Sequence, residues 1–248
     1  MQYNPKKHRL PICDLSGVLL VDKPAGWTSF DVVNFVRSRF NIPKVGHCGT
    51  LDPAATGLLV LMLGKFTTLS SRFSGDDKVY EGTMRLGVET DSGDLDGTVI
   101  ATADPGAVTA AQIAEVLARF RGEQMQVPPM VSAVKIGGKK LYELARKGEE
   151  IEREPRKIFI RRLDITSCTP PDCSFVLECS KGTYVRTLCS DAGKLLGCGA
   201  VLTSLRRTRS GRFDLADAFD IETLKSFDQT ELAARVAERL GKLAGGIK

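Results

Sequence analysis

The chain has 248 residues, 42% of them hydrophobic, enough to bury a core as one large domain or two small ones. Its longest apolar run, residues 58–63, is far short of the roughly 20 residues a membrane helix needs, and the start MQYNPKKHRLP lacks the apolar stretch of a signal peptide, so a cytoplasmic protein off the membrane is expected. A net charge of +5 is mild, and seven cysteines without a C-x-x-C pair beside only two histidines argue for reduced thiols and against a metal site.

Residues 17–21, GVLLV, read as a buried strand running into the turn DKPAG. Thr28 and Asp31 have the spacing of a capping box, with Asp in place of the usual Glu, and Val32, Val36 and Phe40 then repeat at helical spacing. The stretch GHCGTLDP at 46–53 follows as a Gly/Pro-rich loop, then a short turn over 54–57 and a buried strand at 58–63. From Lys78 the pattern alternates, with Tyr80, Met84 and Leu86 on one face and Val79, Glu81, Thr83 and Arg85 on the other, which predicts a half-buried strand. Residues 91–97, DSGDLDG, make an acidic loop. With Gly97 at the turn position of a calcium loop the twelfth ligand would be Ala103, which has no side-chain oxygen, so a calcium site is rejected.

Thr109 and Gln112 cap a second helix with Ile113, Val116, Leu117 and Phe120 on one stripe. Residues 126–140 hold a Pro pair and a Gly pair, and residues 141–147 read as a short helix stopped at Gly148. Such a basic, loop-rich excursion between core elements is a candidate binding arm. Strands are predicted at 158–165 and 174–180, then a Lys181-Gly182 turn and a helix carrying Leu188, Ala192 and Leu195. A last helix over about 230–242 places Leu232, Val236 and Leu240 on one face. Strands and helices alternate without a steady β-α-β rhythm, which favours an α+β fold with a large sheet.

Basicity is concentrated in two blocks. Residues 135–162 hold ten Lys/Arg against five Glu, residues 181–212 hold seven against the single acid Asp191, and from Phe213 the balance reverses to five against seven. Blocks of this kind suit a polyanion, whose condensed counterions are released on contact, and equally suit an ordinary solvated face. Within GHCGTLDP, Asp52 precedes a proline and so adopts extended or turn geometry. Spacing alone favours an N-cap for the following turn over a catalytic carboxylate. His47 and Cys48 are adjacent, and neighbouring side chains diverge in extended chain, which weakens a Cys/His pair. The glycines around His47 argue for an exposed, closely approached side chain. Tyr80 reads as a core tyrosine, and Arg186 at a helix start is electrostatically unfavourable unless an anion faces it.

Taken together, these segments resemble the TruB-type pseudouridine synthases, which act on uridine 55 in the T-loop of transfer RNA. The stretch GHCGTLDPAATGLLVLMLG resembles the family signature, and GVLLVDKPAGWTSFDVV its entry strand and KP turn. KVYEGTMRLGVETDSGDLDG is similar to the tyrosine-bearing strand and acidic loop, and QVPPMVSAVKIGGKKLYELARKG to the RNA-binding insertion. CSKGTYVRTLCSDAG is similar to the arginine motif and GAVLTSLRRTRSGRF to the segment closing the catalytic domain.

The resemblance implies a pseudouridine synthase fold, with a large mostly antiparallel or mixed central sheet flanked by helices. It implies a catalytic domain over 1–213 with an insertion at about 126–156, then a short helical extension at 214–248, too small for a full C-terminal RNA-binding (PUA) domain. It implies no cofactor and no metal, with Asp52 as the catalytic carboxylate, Arg186 paired to it, and Tyr80 stacked on the target base. His47 would fill the space that the flipped base leaves, with Gly46, Gly49, Thr50, Leu51, Tyr184, Lys23 and Leu205 around the substrate. Lys135, Lys139, Lys140, Arg146, Lys147, Arg206 and Arg207 would meet the RNA backbone. The T-arm of tRNA is the implied partner, with a monomeric enzyme and no guide RNA, since guide-dependent relatives carry long terminal extensions. Val131 departs from the aromatic or His usual in the family. The rival reading is a non-catalytic RNA-binding or tRNA-folding protein on the same fold, and an aspartate-nucleophile hydrolase lacks a second acid or base near Asp52.

Overall fold

The computed structural model describes residues 10–132, 135–136, 139–140 and 151–245. In chain order the first elements are β1 (Gly17–Lys23), α1 (Ser29–Arg39), β2 (Val45–His47), β3 (Thr56–Leu63), a 3-10 turn (Gly64–Leu69) and α2 (Ser70–Ser74). Then come β4 (Lys78–Leu86), β5 (Val88–Thr90), β6 (Val99–Thr102), α3 (Ala110–Ala118), β7 (Gly122–Gln126), β8 (Lys135–Ile136), β9 (Lys139–Lys140), β10 (Arg156–Thr169) and β11 (Asp172–Cys179). The chain closes with α4 (Val185–Leu196), β12 (Ala200–Ser210), β13 (Phe213–Asp214), β14 (Phe219–Asp220), α5 (Ile221–Ser226) and α6 (Gln229–Gly245). These elements make an α+β protein of two compact units, one within Met1–Ser74 and Phe213–Lys248, the other Gly75–Arg212.

In the first unit β1 runs antiparallel to β3, with Val21 opposite Leu59, and parallel to β14, with Val21 beside Phe219. The continuous apolar runs of β1 and β3 are explained by burial on both faces. Leu19, Val21, Leu59, Leu61 and Leu63 pack on one side with Val32, Val36 and Phe40 of the α1 region and with Leu224, Leu232 and Val236 of α5 and α6. Val18, Leu20, Leu58, Val60 and Met62 pack on the other with Cys48 and Phe213. Each such side chain contributes about 1.5–3 kcal/mol of burial. α1 starts on the capping box read from sequence, Thr28 accepting from the Asp31 N–H and Asp31 from the Thr28 N–H. The head of GHCGTLDP differs from the expected loop: Val45–His47 is a strand paired with β3, because the β3 main chain at Leu61 to Leu63 offers it a ladder. β3 also begins earlier than expected, at Thr56.

The second unit is a five-stranded antiparallel sheet in the order β12-β4-β11-β10-β7. β4 alternates as predicted, with Lys78, Tyr80, Gly82, Met84 and Leu86 on the buried face. α4 packs on β12, and α3 packs on β10 and α4. The Thr109–Gln112 capping box starts α3, whose Ile113, Val116 and Leu117 are buried. β7 was not expected, and residues 126–129 therefore begin inside a strand rather than a loop. β8 and β9 pair antiparallel, Lys135 opposite Lys140. The predicted helix at 141–147 lies outside the described residues. On α4, Leu195 is exposed and Cys189 joins Leu188 and Ala192 on the buried stripe, because Leu195 sits on the last turn before the left-handed Gly197 cap.

Candidate functional site

Asp52 sits in the connection between β2 and β3, and its main chain is held on both flanks. The Ser29 hydroxyl donates to the Leu51 carbonyl (3.0 Å) and accepts from the Leu51 N–H (2.8 Å). On the other side the buried ammonium of Lys23 donates to the carbonyls of Pro24 (2.9 Å), Trp27 (2.6 Å) and Pro53 (3.1 Å), and the Gly26 N–H donates to Pro53 as well (2.9 Å). The Ala55 N–H bonds the Asp52 carbonyl at 3.1 Å, closing the expected turn, and no helix follows. A charged donor bonded to several carbonyls is a strong anchor for main chain, and it leaves the carboxylate side chain half-buried on a braced turn. The Cys48 thiol is enclosed in the core, which removes the Cys/His reading.

Arg186 stands on the first turn of α4, 3% exposed. Its Nη1 donates to the Ser92 carbonyl (2.8 Å), its Nη2 to the Val131 carbonyl (2.8 Å), and its Nε lies 3.4 Å from Asp94 Oδ2. The anion that a buried arginine at a helix N-terminus demands is thus supplied at least by Asp94. The acidic loop reaches Arg186 through Gly93, whose φ of +77° suits glycine and whose added Cβ would lie 3.3 Å from the Arg186 Cβ. The loop is braced by Asp91, which accepts from the Thr98 N–H, and by Asp94, which accepts from the Asp96 N–H. Gln126, at the end of β7, holds Tyr184 by both main-chain groups, donating to its carbonyl (3.1 Å) and accepting from its N–H (2.8 Å).

Tyr80 is buried on β4 between Leu177 of β11 and Arg207 of β12, its partners across the ladders. Lys78 shares that face, and burial, with Arg207 close by, holds its ammonium below the usual lysine range. Burial likewise pushes the Cys179 thiol, opposite Lys78, up to about 12.

The first unit therefore gathers Lys23, Gly46, His47, Gly49, Thr50, Leu51 and Asp52 around one turn. The second gathers Arg186 and Tyr184 at one helix start, and Tyr80, Leu205, Arg206 and Arg207 on neighbouring strands. Lys23, expected around the substrate as a residue that shapes the loop, is buried and donates to backbone carbonyls of the Asp52 turn. Arg207, expected at the RNA backbone, is 1% exposed on the Tyr80 face, while Arg206 is half-buried. Gly46 has ordinary φ and room for a Cβ, whereas Gly49 at φ +97° is required by the backbone itself. Thr50 is exposed and Leu51 buried. Lys135, Lys139 and Lys140 are placed by backbone in the β8–β9 hairpin, and Arg146 and Lys147 lie outside the described residues. Sequence reasoning missed Ser29, Asp94 and Gln126; only Asp94 had a signal, the anion that Arg186 required. Among the described residues no three His, Cys, Asp or Glu side chains cluster to hold a metal ion, and no helix is long and apolar enough to cross a membrane.

The fold is that of solved pseudouridine synthase relatives. A Cbf5-Nop10-Gar1 complex contains a chain 30% identical with a TM-score of 0.69, covering 91% of this chain, which spans 60% of that one. An archaeal box H/ACA sRNP Nop10-Cbf5 complex gives 25% identity, a TM-score of 0.64, and coverage of 95% and 68%. The protein named tRNA pseudouridine synthase B of Opitutus terrae is 48% identical over 226 residues, 91% of this chain and 94% of that protein. Its namesake in Burkholderia pseudomallei (strain 668) is 50% identical over 223 residues, 90% and 74%. The model of the N-terminal domain of TruB family pseudouridylate synthases matches residues 37–185, and that of the tRNA pseudouridylate synthase B C-terminal domain matches 186–240. This chain belongs to the TruB family of pseudouridylate synthases.

Proposed function

We propose that the protein isomerises uridine to pseudouridine in transfer RNA, at position 55 of the T-loop. The observation that carries this reading is the braced Asp52 turn in a chain that matches the family from residue 37 to 240. The N1–C1′ bond breaks, the uracil turns in place, C5 joins C1′, and the C5 proton is lost while N1 gains one. Asp52 is the carboxylate at the reacting nucleotide, either attacking it or stabilising a cationic sugar. Arg186 pairs with Asp52, keeping it ionised and aimed. Tyr80 stacks on the base, and its hydroxyl is the candidate group for moving a proton. The uridine must first be extruded, at a few kcal/mol of lost stacking, and His47 takes its place. Gly46, Gly49, Thr50, Leu51, Tyr184 and Leu205 surround it. Phosphate contacts come from Lys135, Lys139, Lys140, Arg146, Lys147 and Arg206. Residues 1–213 form the catalytic region, with the RNA-binding insertion at about 126–156 and a helical extension at 214–248. The enzyme acts as a monomer in the cytoplasm without guide RNA. A pure RNA-binding protein on this fold needs neither the carboxylate nor its brace.

Tritium release from C5-labelled uridine in T-arm RNA tests the reading. With Asp52→Asn, turnover is expected to fall on the order of 1,000-fold or more while RNA binding stays largely intact. Normal turnover by the Asn variant removes Asp52 from the chemistry.

A further inference from the structure

We propose that Gln126 is a positioning residue for this reaction, setting the main chain of Tyr184 and through it the direction in which Arg186 leaves α4. The inference rests on the functional reading above. Gln126 is 6% exposed, and one carboxamide satisfies both main-chain groups of a single residue, at 3.1 and 2.8 Å. Tyr184 is the N-cap of α4 and makes no side-chain cap bond of its own. In a capping box the N-cap N–H is satisfied by Glu or Gln at the third helical position. Here that position is Thr187, too short to reach back, and Gln126 supplies the same acceptor from a different strand. The Tyr184 carbonyl also accepts the first bond of the helix, from the Leu188 N–H at 3.1 Å, so the carboxamide bonds the very peptide groups from which α4 begins.

Arg186 follows two residues later. Its guanidinium donates to the Val131 carbonyl, only five residues along the chain from Gln126. One segment therefore holds the start of α4 twice, by the main chain at Tyr184 and by the side chain at Arg186. A buried carboxamide needs its bonds, and an apolar residue of the same length would fill the space without that requirement. The amide adds direction: two antiparallel hydrogen bonds fix both the height and the rotation of the helix's first peptide. A misplacement of about 1 Å at a group aiming a catalytic carboxylate costs on the order of 100-fold in rate.

Two variants separate positioning from packing. Gln126→Met keeps length and loses both bonds. Gln126→Glu keeps the acceptor, and only its protonated form, raised in pKa by burial, also donates to the Tyr184 carbonyl. Single-turnover rates on T-arm RNA are measured with enzyme in excess, beside RNA Kd, thermal midpoint and folded fraction. The expected result for Gln126→Met is a rate lower by roughly 10- to 100-fold per folded molecule, with Kd unchanged. For Gln126→Glu the deficit against wild type shrinks as pH falls from about 8 to about 6, while the Met deficit stays flat. Full rate in the Met variant, a loss accounted for by unfolded protein or weaker RNA binding, or a pH-independent Glu deficit overturns the proposal. Absence of pseudouridine from the wild-type reaction would instead defeat the functional reading and leave a structural clamp.

Discussion

Asp94 and Arg186 lie 3.4 Å apart with side chains 13% and 3% exposed, so removing one charge leaves the other in a poorly solvated place. Asp94→Asn is expected to lower stability by about 3 kcal/mol and to reduce turnover well beyond the loss of folded protein, read as a urea midpoint and as tritium release on the same preparation. An unchanged midpoint would show that the Arg186 charge is satisfied by its other partners. Lys23 makes the complementary case. Lys23→Met keeps the aliphatic length but strips the donor from three carbonyls, and it should destabilise by about 2–3 kcal/mol while loosening the Asp52 turn. At this scale the site was half legible. Asp52 read better as an N-cap until the accompanying segments were considered, because a lone Asp-Pro looks alike in both roles. The need for an anion at Arg186 was visible, but not its source, since two of the three aspartates in the acidic loop, Asp91 and Asp94, also close turns. Ser29 was hidden because a serine at the start of a helix has a local explanation that masks its bonds to Leu51.

The elements that carry the site are begun by short local signals. Thr109→Ala removes the α3 cap and should cost about 1 kcal/mol, measured by chemical denaturation, with no change in turnover per folded molecule. α1 carries the Asp52 brace at Ser29, so its cap matters more for function. The Thr28 hydroxyl and N–H hold the Asp31 carboxyl below the usual aspartate range. A depressed folded-state pKa contributes stability above the unfolded value and loses it as pH falls through the folded one. Asp31→Asn should therefore flatten the acid limb of the stability curve below about pH 4, and an unaltered limb would place that proton uptake elsewhere. Periodicity revealed β1, β3, β4 and α1 because each presents a repeating apolar face. It did not reveal β7, where GEQMQ buries only Gln126, or β12, whose arginine-rich second half breaks the apolar alternation while Arg207 turns inward on the ladder opposite Tyr80.

Over the whole molecule, carboxylates and cations do two separate jobs. Asp164, Asp172 and Asp220 also titrate below the usual range, held by Arg162, by Arg85 and by the Thr223 N–H, while burial raises Asp191. The first three add stability above about pH 4 that is lost on acidification; Asp191 has the opposite sign and recovers a little there. Two of these acids pair with arginines on exposed strand positions, Arg85–Asp172 and Arg162–Asp164. Within residues 181–212, Arg186 and Arg207 are buried, and Lys194 and Arg209 pair with Asp191 and Glu178. The raw count of basic residues between 181 and 212 therefore overstates what a polyanion would meet, and the β8–β9 hairpin, where Lys135 stands opposite Lys140, becomes the better candidate for binding phosphate. If Lys139 and Lys140 each neutralise a phosphate, Lys139→Ala with Lys140→Ala should weaken T-arm binding most at low salt. It should also flatten the slope of log K against log salt by about 0.7–0.9 for every phosphate that is no longer neutralised. The chemical step at saturating RNA should be untouched, since a lysine bound to phosphate positions the RNA without entering the reaction. A slope unchanged by the double substitution would move the electrostatic footprint away from the hairpin, to basic residues elsewhere on the protein.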